Sequence, residues 1–219
     1  MTWLYLVAAT ALCLSPLGAA YPQLPALGGV VHDIAEQSGA PNLVSGVILH
    51  LRLYDTISEV VVFTLASIGV RMLLADEPGQ ESVRALDDPP SVVLCQLGAT
   101  MAALIGVELA LRGHLSPGGG FAAGVAGGTA IGLALISGSA ELSERVYQRY
   151  RADLGEKIAV IGFIGLAFIA LEGVQLPEEI FGSGATGHWI PLLNILVAVK
   201  VTLGSWAMVR LFVRHRGLL

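Results

Sequence analysis

Arg112-Gly-His-Leu-Ser-Pro-Gly-Gly-Gly-Phe121 opens a run of glycines at positions 118, 119, 120, 124, 127, 128, 132 and 138. Those at 120, 124, 128 and 132 recur at intervals of four, which sets them along one stripe of a helix. In water such a helix would be poor, because each interior glycine costs roughly 1 kcal/mol relative to alanine. Inside a bilayer the same spacing is a packing surface, since small residues let two backbones approach closely. The run therefore predicts a membrane helix over 121–139, with Gly120, Gly124, Gly128 and Gly132 as its contact stripe against other helices. Pro117 suits the first turn, where its missing N–H has no partner in any case. Arg112 and His114 fall in the loop before it. A phosphate-cradling loop would need a preceding strand and a Gly-Lys-Ser/Thr ending, and neither is present.

Composition sets the wider frame. The 219 residues are 54% hydrophobic and 13% charged, with a mean hydropathy of +0.73. Soluble domains carry about 25% charged residues. The chain reads as an all-α, polytopic integral membrane protein. Its net charge of −5 provides no basic footprint for nucleic acid. Cys13 and Cys95 both sit in apolar runs, so they build neither a disulfide framework nor a metal site.

Outward from the glycine run, about six spans are expected. Trp3 to Leu17 is short for a crossing helix, which takes about 20 residues. Its Ser-Pro-Leu-Gly-Ala-Ala ending resembles a signal-peptidase site, but no Lys or Arg precedes it, which favours a retained first helix over residues 1–20. Residues 21–91 read as a second segment: a Pro- and Gly-bearing extramembrane connection over 21–41, a short interfacial helix over 42–53, and a span over 56–74. There Thr56-Ile-Ser-Glu59 has the form of a capping box, and Asp55 and Glu59 place negative charge at the helix's positive end. Residues 92–219 read as a four-helix domain with spans over 92–111, 121–139, 157–176 and 189–213, joined in part by a charged connection over 141–156. Arg145, Arg149 and Arg151 in that connection, and Arg210, Arg214 and Arg216 at the end of the chain, fall on one side of a six-span arrangement. By the positive-inside rule that side is the cytoplasm, with both termini; the expected location is the inner (cytoplasmic) membrane.

Ionisable residues within spans cost about 2.5–3.5 kcal/mol on insertion scales and mark functional candidates. Lys200, with at least nine uncharged residues on each side, is the strongest. It needs a carboxylate or water inside the protein, or it loses its proton to desolvation. Glu108, Glu172 and a partner subunit are the expected sources of a carboxylate. Glu108 also stands four residues before Arg112, the favourable order for a helical pair. Glu59 has a capping role available, and His114, with an unperturbed pKa near 6.5, could relay protons beside the glycine entry. No nucleophile, base and orienting group occur together, and no metal-ligand spacing appears.

Gly113-His-Leu-Ser-Pro-Gly-Gly-Gly-Phe121 resembles the B subunit of the multisubunit Mrp-type cation/proton antiporter, the MnhB family. The likeness continues through Gly155 to Gly173 and through Ile190-Pro-Leu-Leu-Asn-Ile-Leu-Val-Ala-Val-Lys-Val201, covering about 92–213. Residues 42–74, with their Tyr54-Asp-Thr-Ile-Ser-Glu59 core, are similar to the E-subunit-like segment of membrane-bound hydrogenases, which in many Mrp systems ends the large A subunit. The resemblance implies a Na+/H+ antiport assembly whose other members are A-, C-, D-, E-, F- and G-like subunits, with membrane lipid around it. It implies no cofactor and no catalytic role for this chain. The hydrogenase likeness keeps a second parent open, a redox-driven respiratory complex carrying the same ion module. The family pattern maps its Asp-Thr-x-x-Glu core onto Asp55, Thr56 and Glu59 and its last-span lysine onto Lys200; Glu59, Lys200 and Asp55 are ion-path candidates, beside His114, Glu108 and Glu172.

Overall fold

The computed structural model of the chain describes residues 27–79, 85–115, 118–172 and 189–216. The expected first span, over residues 1–20, lies outside these residues. Residues 34–219 form one compact unit; of the other unit, 1–33, only the front of helix α1 is described.

The chain is an all-α, multi-pass membrane protein. In order come α1 (Leu27–Ser38), α2 (Leu43–Gly46) running into a π-helical turn (Val47–Leu51), α3 (Leu53–Leu73), α4 (Pro89–Arg112), α5 (Gly119–Ala134) extended by a second π-helical turn (Leu135–Ser139), α6 (Ala140–Arg149), α7 (Ala152–Leu171) and α8 (Trp189–Arg216). Among the described residues five helices are long and apolar enough to cross a membrane: α3, α4, α5 to Gly138, α7 and α8.

Helix α8 is the axis of the bundle, packed against α3, α4, α5 and α7. Its Ile190, Leu193, Val197 and Val201 form the core together with Val60 of α3 and Phe163 and Ala167 of α7. The glycine stripe lies against this helix. A Cβ on Gly120 would fall on the Asn194 carbonyl oxygen, one on Gly124 would strike Val201, and one on Gly128 would stand 2.7 Å from Ser205 Cβ. Gly132 has nothing within 4 Å. Three of the four predicted packing glycines thus serve a contact inside the chain, and the fourth opens onto free space. Gly127, off the strict interval, belongs to the same contact, because a Cβ there would strike the Thr202 side chain.

Several boundaries depart from the sequence reading. Residues 21–41, read as a connection, contain α1. The capping box is absent: α3 starts at Leu53, so Thr56 and Glu59 lie within its first turns, and the Thr56 hydroxyl donates to the Ile48 carbonyl at 3.1 Å. Pro89 and Pro90 belong to the first turn of α4, behind an Asp88 cap that accepts from the Ser91 amide. Ser91 holds the Asp88 carboxyl below its ordinary range through its hydroxyl and amide. Helix α5 starts after Gly118, and Pro117 lies outside the described residues.

The largest departure is the charged stretch 141–156. It is not a connection: most of it is helix α6, and its end is the first turn of α7. Helix α6 is amphipathic and clamps to α8. Trp206 donates to Ser143 Oγ at 2.8 Å, Arg210 pairs with Glu144 at 2.7 Å, and the Arg210 guanidinium lies 4.2 Å from the centre of the Tyr147 ring. The chain reverses at Arg151, which takes a left-handed conformation (φ 48°) between the two helices.

Candidate functional site

Where α7 begins sets the chemistry of the bundle. Because the helix starts at Ala152, Glu156 sits within it and is buried, facing α8. Lys200, near the middle of α8, is fully buried, and its Nζ lies 2.9 Å from Glu156 Oε1. Gly204, one turn on, makes room for the pair. A Cβ there would stand 2.7 Å from Phe63 Cε1, 3.0 Å from Glu156 Oε1 and 3.1 Å from Lys200 Nζ.

The charges continue outward from this pair. Glu156 Oε2 is 3.7 Å from Arg71 of α3, Arg71 is 2.7 Å from Asp153, and Asp153 is 2.8 Å from Lys157. Exposure rises along this series from Lys200, at 0%, to Lys157, at 61% of its side chain. The network therefore runs from the middle of the bundle to the end where α6 and the C-terminal arginines lie, here called the basic end. A cavity of about 210 Å³, lined by Thr64, Ser67, Arg71, Glu156 and Lys157 among others, opens beside Glu156. A carboxylate and an ammonium in contact, with an opening against one of them, can hold a proton away from bulk water and pass it on; a lone buried charge would instead be strongly destabilising.

A second polar site lies at the opposite, glycine-entry end. A cavity of about 260 Å³ is lined by Asp55, Thr56, Glu59, Gly118, Gly119 and Asn194, with Phe121 and Val197 among the others. Asp55 pairs with Arg52 at 2.5 Å. Glu59 is exposed. Two aromatic rings separate this cavity from the lysine. Phe121 meets Phe63 edge-on, with centroids 5.9 Å apart, and Lys200 Nζ lies 4.5 Å from the Phe63 centroid.

The sequence candidates therefore divide. Lys200 stands at the centre of the buried site, and Asp55 and Glu59 line the cavity beyond the rings. Glu108 is not a partner of Lys200: it pairs with Arg112 at 3.0 Å, both side chains being more than half exposed. Glu172 caps the far end of α7 and is exposed, a full helix length from Glu156. His114 belongs to neither site. Its carbonyl accepts from the Asn42 amide at 3.2 Å, and burial lowers its imidazole pKa. Sequence reading missed Glu156 because it set the span's start at Lys157, five residues after the helix begins at Ala152, and so counted the carboxylate among loop charges. Asn194, an isolated polar residue amid the apolar run of α8, also escaped notice although it stood out in the pattern. Among the described residues no three His, Cys, Asp or Glu side chains gather as a metal site would require.

The model of a family described as the domain related to the MnhB subunit of Na+/H+ antiporters matches residues 90–207, more than half of the chain. No curated protein matches. Among solved structures, a chain from the membrane-bound sulfane sulfur reductase, an archaeal respiratory membrane complex, is similar at 23% identity and a TM-score of 0.72. The likeness covers 97% of this chain and 96% of that one. It therefore includes the part before residue 90, which the family match leaves out.

Proposed function

This chain belongs to the MnhB family, and from that premise we propose that it is a membrane subunit of a Mrp-type assembly that exchanges Na+ for H+. The buried Lys200–Glu156 pair would be its proton-holding centre. The pair carries the reading because both residues lie inside the family-matched region and within candidate spans, at a depth where an ionisable group is costly without a task or a partner. In this reading the basic end faces the cytoplasm. The other antiporter subunits pack on surfaces the chain leaves open, namely the outward side of α4 and the α5 surface at Gly132.

Proton exchange at the pair needs only a shift between an ammonium facing a carboxylate and an amine facing a carboxylic acid. No bond to carbon changes, which fits a subunit without catalytic residues of its own. The test is Na+-driven proton movement in everted membrane vesicles, followed with a pH-sensitive dye, comparing Glu156→Gln with the unaltered chain. The expected result is an assembled complex whose Na+ response falls to that of vesicles lacking the chain. An assembled Glu156→Gln complex with undiminished exchange would remove the pair from the mechanism.

A second reading makes the chain an ion-module subunit of a redox-driven respiratory complex. One observation favours it: the fold shared with the sulfane sulfur reductase chain extends over both parts of this molecule. Purifying a tagged copy from native membranes separates the two. Antiporter-type subunits alone would support the first reading, whereas iron–sulfur proteins in the same particle would support the second.

A further inference from the structure

Asn194, which lines the cavity at the glycine-entry end, carries a buried polar atom that the chain does not satisfy. Asn194 is 1% exposed, and its Nδ2 donates to the Leu109 carbonyl at 3.1 Å and the Ala110 carbonyl at 2.8 Å, in the last turn of α4. These bonds fix the amide, because turning it over would set its oxygen against two carbonyls. Oδ1 is then held toward Gly119, whose missing Cβ would lie 3.7 Å away, and among the described residues it has no hydrogen-bond partner. A buried acceptor left unmet costs about 1–3 kcal/mol.

The cavity walls determine what can meet it. Helix α5 begins after Gly118, which offers no side-chain cap, so its first amides lack intrahelical acceptors and present the positive end of the helix. Glu59 lines the same space with no ion pair among the described residues, whereas Asp55 is already paired with Arg52. A metal cation would suit Oδ1 and Glu59 but would face the helix's positive end. An anion would suit the amides and be repelled by the other two. Water donates and accepts, so it serves all three, and about 260 Å³ holds several molecules at roughly 30 Å³ each.

The floor of the cavity leads to the buried pair. Phe121 lines the cavity, Phe63 stands edge-on beneath it, and the Phe63 ring lies against the fully buried Lys200. Glu156, on the other side of the pair, lines the cavity at the basic end. We propose that the upper cavity is a water-binding vestibule that supplies protons to Lys200 and Glu156, and that Phe121 and Phe63 are the closed gate between them. Glu59 is the acceptor at the vestibule mouth, and Asn194 anchors the innermost water. With the rings together, the pair communicates only with the basic end; with the rings apart, a vestibule water reaches the lysine nitrogen and one proton transfers, with no other bond made or broken. The proposal rests on the reading of the pair as the proton-holding centre.

Two labelling measurements on the intact complex test it without relying on transport. In a background with Cys13→Ser and Cys95→Ser, Val197→Cys lies on the vestibule wall and should react with a small charged methanethiosulfonate, which needs thiolate in water. Lys157 and Lys200 are the chain's lysines. Reductive methylation with formaldehyde, read by mass spectrometry, should modify Lys157 and spare Lys200. Phe63→Ala should abolish that protection, and Phe63→Leu, which keeps more of the packing, should weaken it if the alanine variant fails to assemble. An unreactive Val197→Cys in an assembled complex would mean a dry cavity and overturn the proposal. So would methylation of Lys200 as fast as Lys157 in the unaltered chain, or full protection in both Phe63 variants. If labelling behaves as expected but the complex moves no protons, the vestibule and gate stand while the role assigned to the pair falls.

Discussion

Helices α4 and α8 are nearly equal in hydropathy, at 1.9 and 1.8, yet 6% of the most apolar window of α4 is buried against 44% for α8. Hydropathy therefore reports that both can cross a membrane and says nothing about which lies at the centre. What separates them is polar content and the relief of the facing surface. Helix α8 carries Asn194 and Lys200, each bonded to another helix, and faces the glycines of α5. Helix α4 turns Leu94, Leu97, Leu104 and Val107 outward. In a bilayer, where apolar burial does not drive helices together, close backbone approach and hydrogen bonding decide which helix becomes the axis.

The contrast is broken most severely at the buried pair. Lys200→Ala or Glu156→Ala leaves an uncompensated charge inside the bundle and should cost about 3–5 kcal/mol, seen as loss of the monodisperse peak on size exclusion in detergent. The double variant Lys200→Met with Glu156→Leu should restore that peak, because apolar replacement of a whole buried pair is often neutral or stabilising. If its Na+-driven proton movement is also restored, the pair is structural only.

Next in size are the glycines. Gly124→Ala places a methyl group against Val201 and should cost about 1–3 kcal/mol by overpacking, lowering the temperature at which the solubilised chain aggregates. Gly124→Leu and Gly128→Leu should prevent the fold. Gly132→Leu meets nothing within the chain, so the isolated protein should tolerate it. If the same variant disperses the native complex on a native gel, a neighbouring subunit occupies that surface.

The α6 clamp should contribute roughly 1 kcal/mol at most, since its ion pair is partly exposed. Burial pushes the Glu144 carboxyl up, but hydrogen bonds from Arg210 and Gln148 and the Arg210 and Arg214 charges outweigh it and leave it below its ordinary value. With the folded-state value depressed, this contribution is present above the ordinary carboxylate range and is lost as pH falls through the depressed value. Glu144→Gln should flatten the acid limb of the stability profile by that amount. Smallest of all, Glu108→Gln on exposed α4 removes an i,i+4 pair worth about 0.3–0.5 kcal/mol, a change near the limit of a thermal-melt comparison.

Much of the architecture was legible in advance: five described spans match predicted ones, and Lys200 stood out by its isolation. The partners of these features were not. A glycine stripe announces a close contact without naming the surface it meets, and here that surface is α8 of the same chain. Glu156 was hidden because the residues around it, Asp153 and Lys157, are charged, so the first turn of α7 reads as loop. Only the reversal at left-handed Arg151 fixes the helix start, and an arginine gives no warning of such a conformation. The aromatic barrier was equally invisible, since Phe63 and Phe121 come from helices far apart in the chain.

The Gly113 carbonyl accepts from Ser45 Oγ at 2.5 Å and from Asn42 Nδ2 at 3.1 Å, while a Cβ at Gly113 would collide with Asn194. At this joint the family-matched part contributes only main chain, so side-chain drift on that side leaves the joint unchanged as long as the glycine remains. The geometry of such a contact does not depend on the two parts being covalently joined. Whether the segment around Asn42 and the family domain are encoded together or apart is then a question of gene arrangement rather than of recognition, and separately expressed halves should find each other in the membrane.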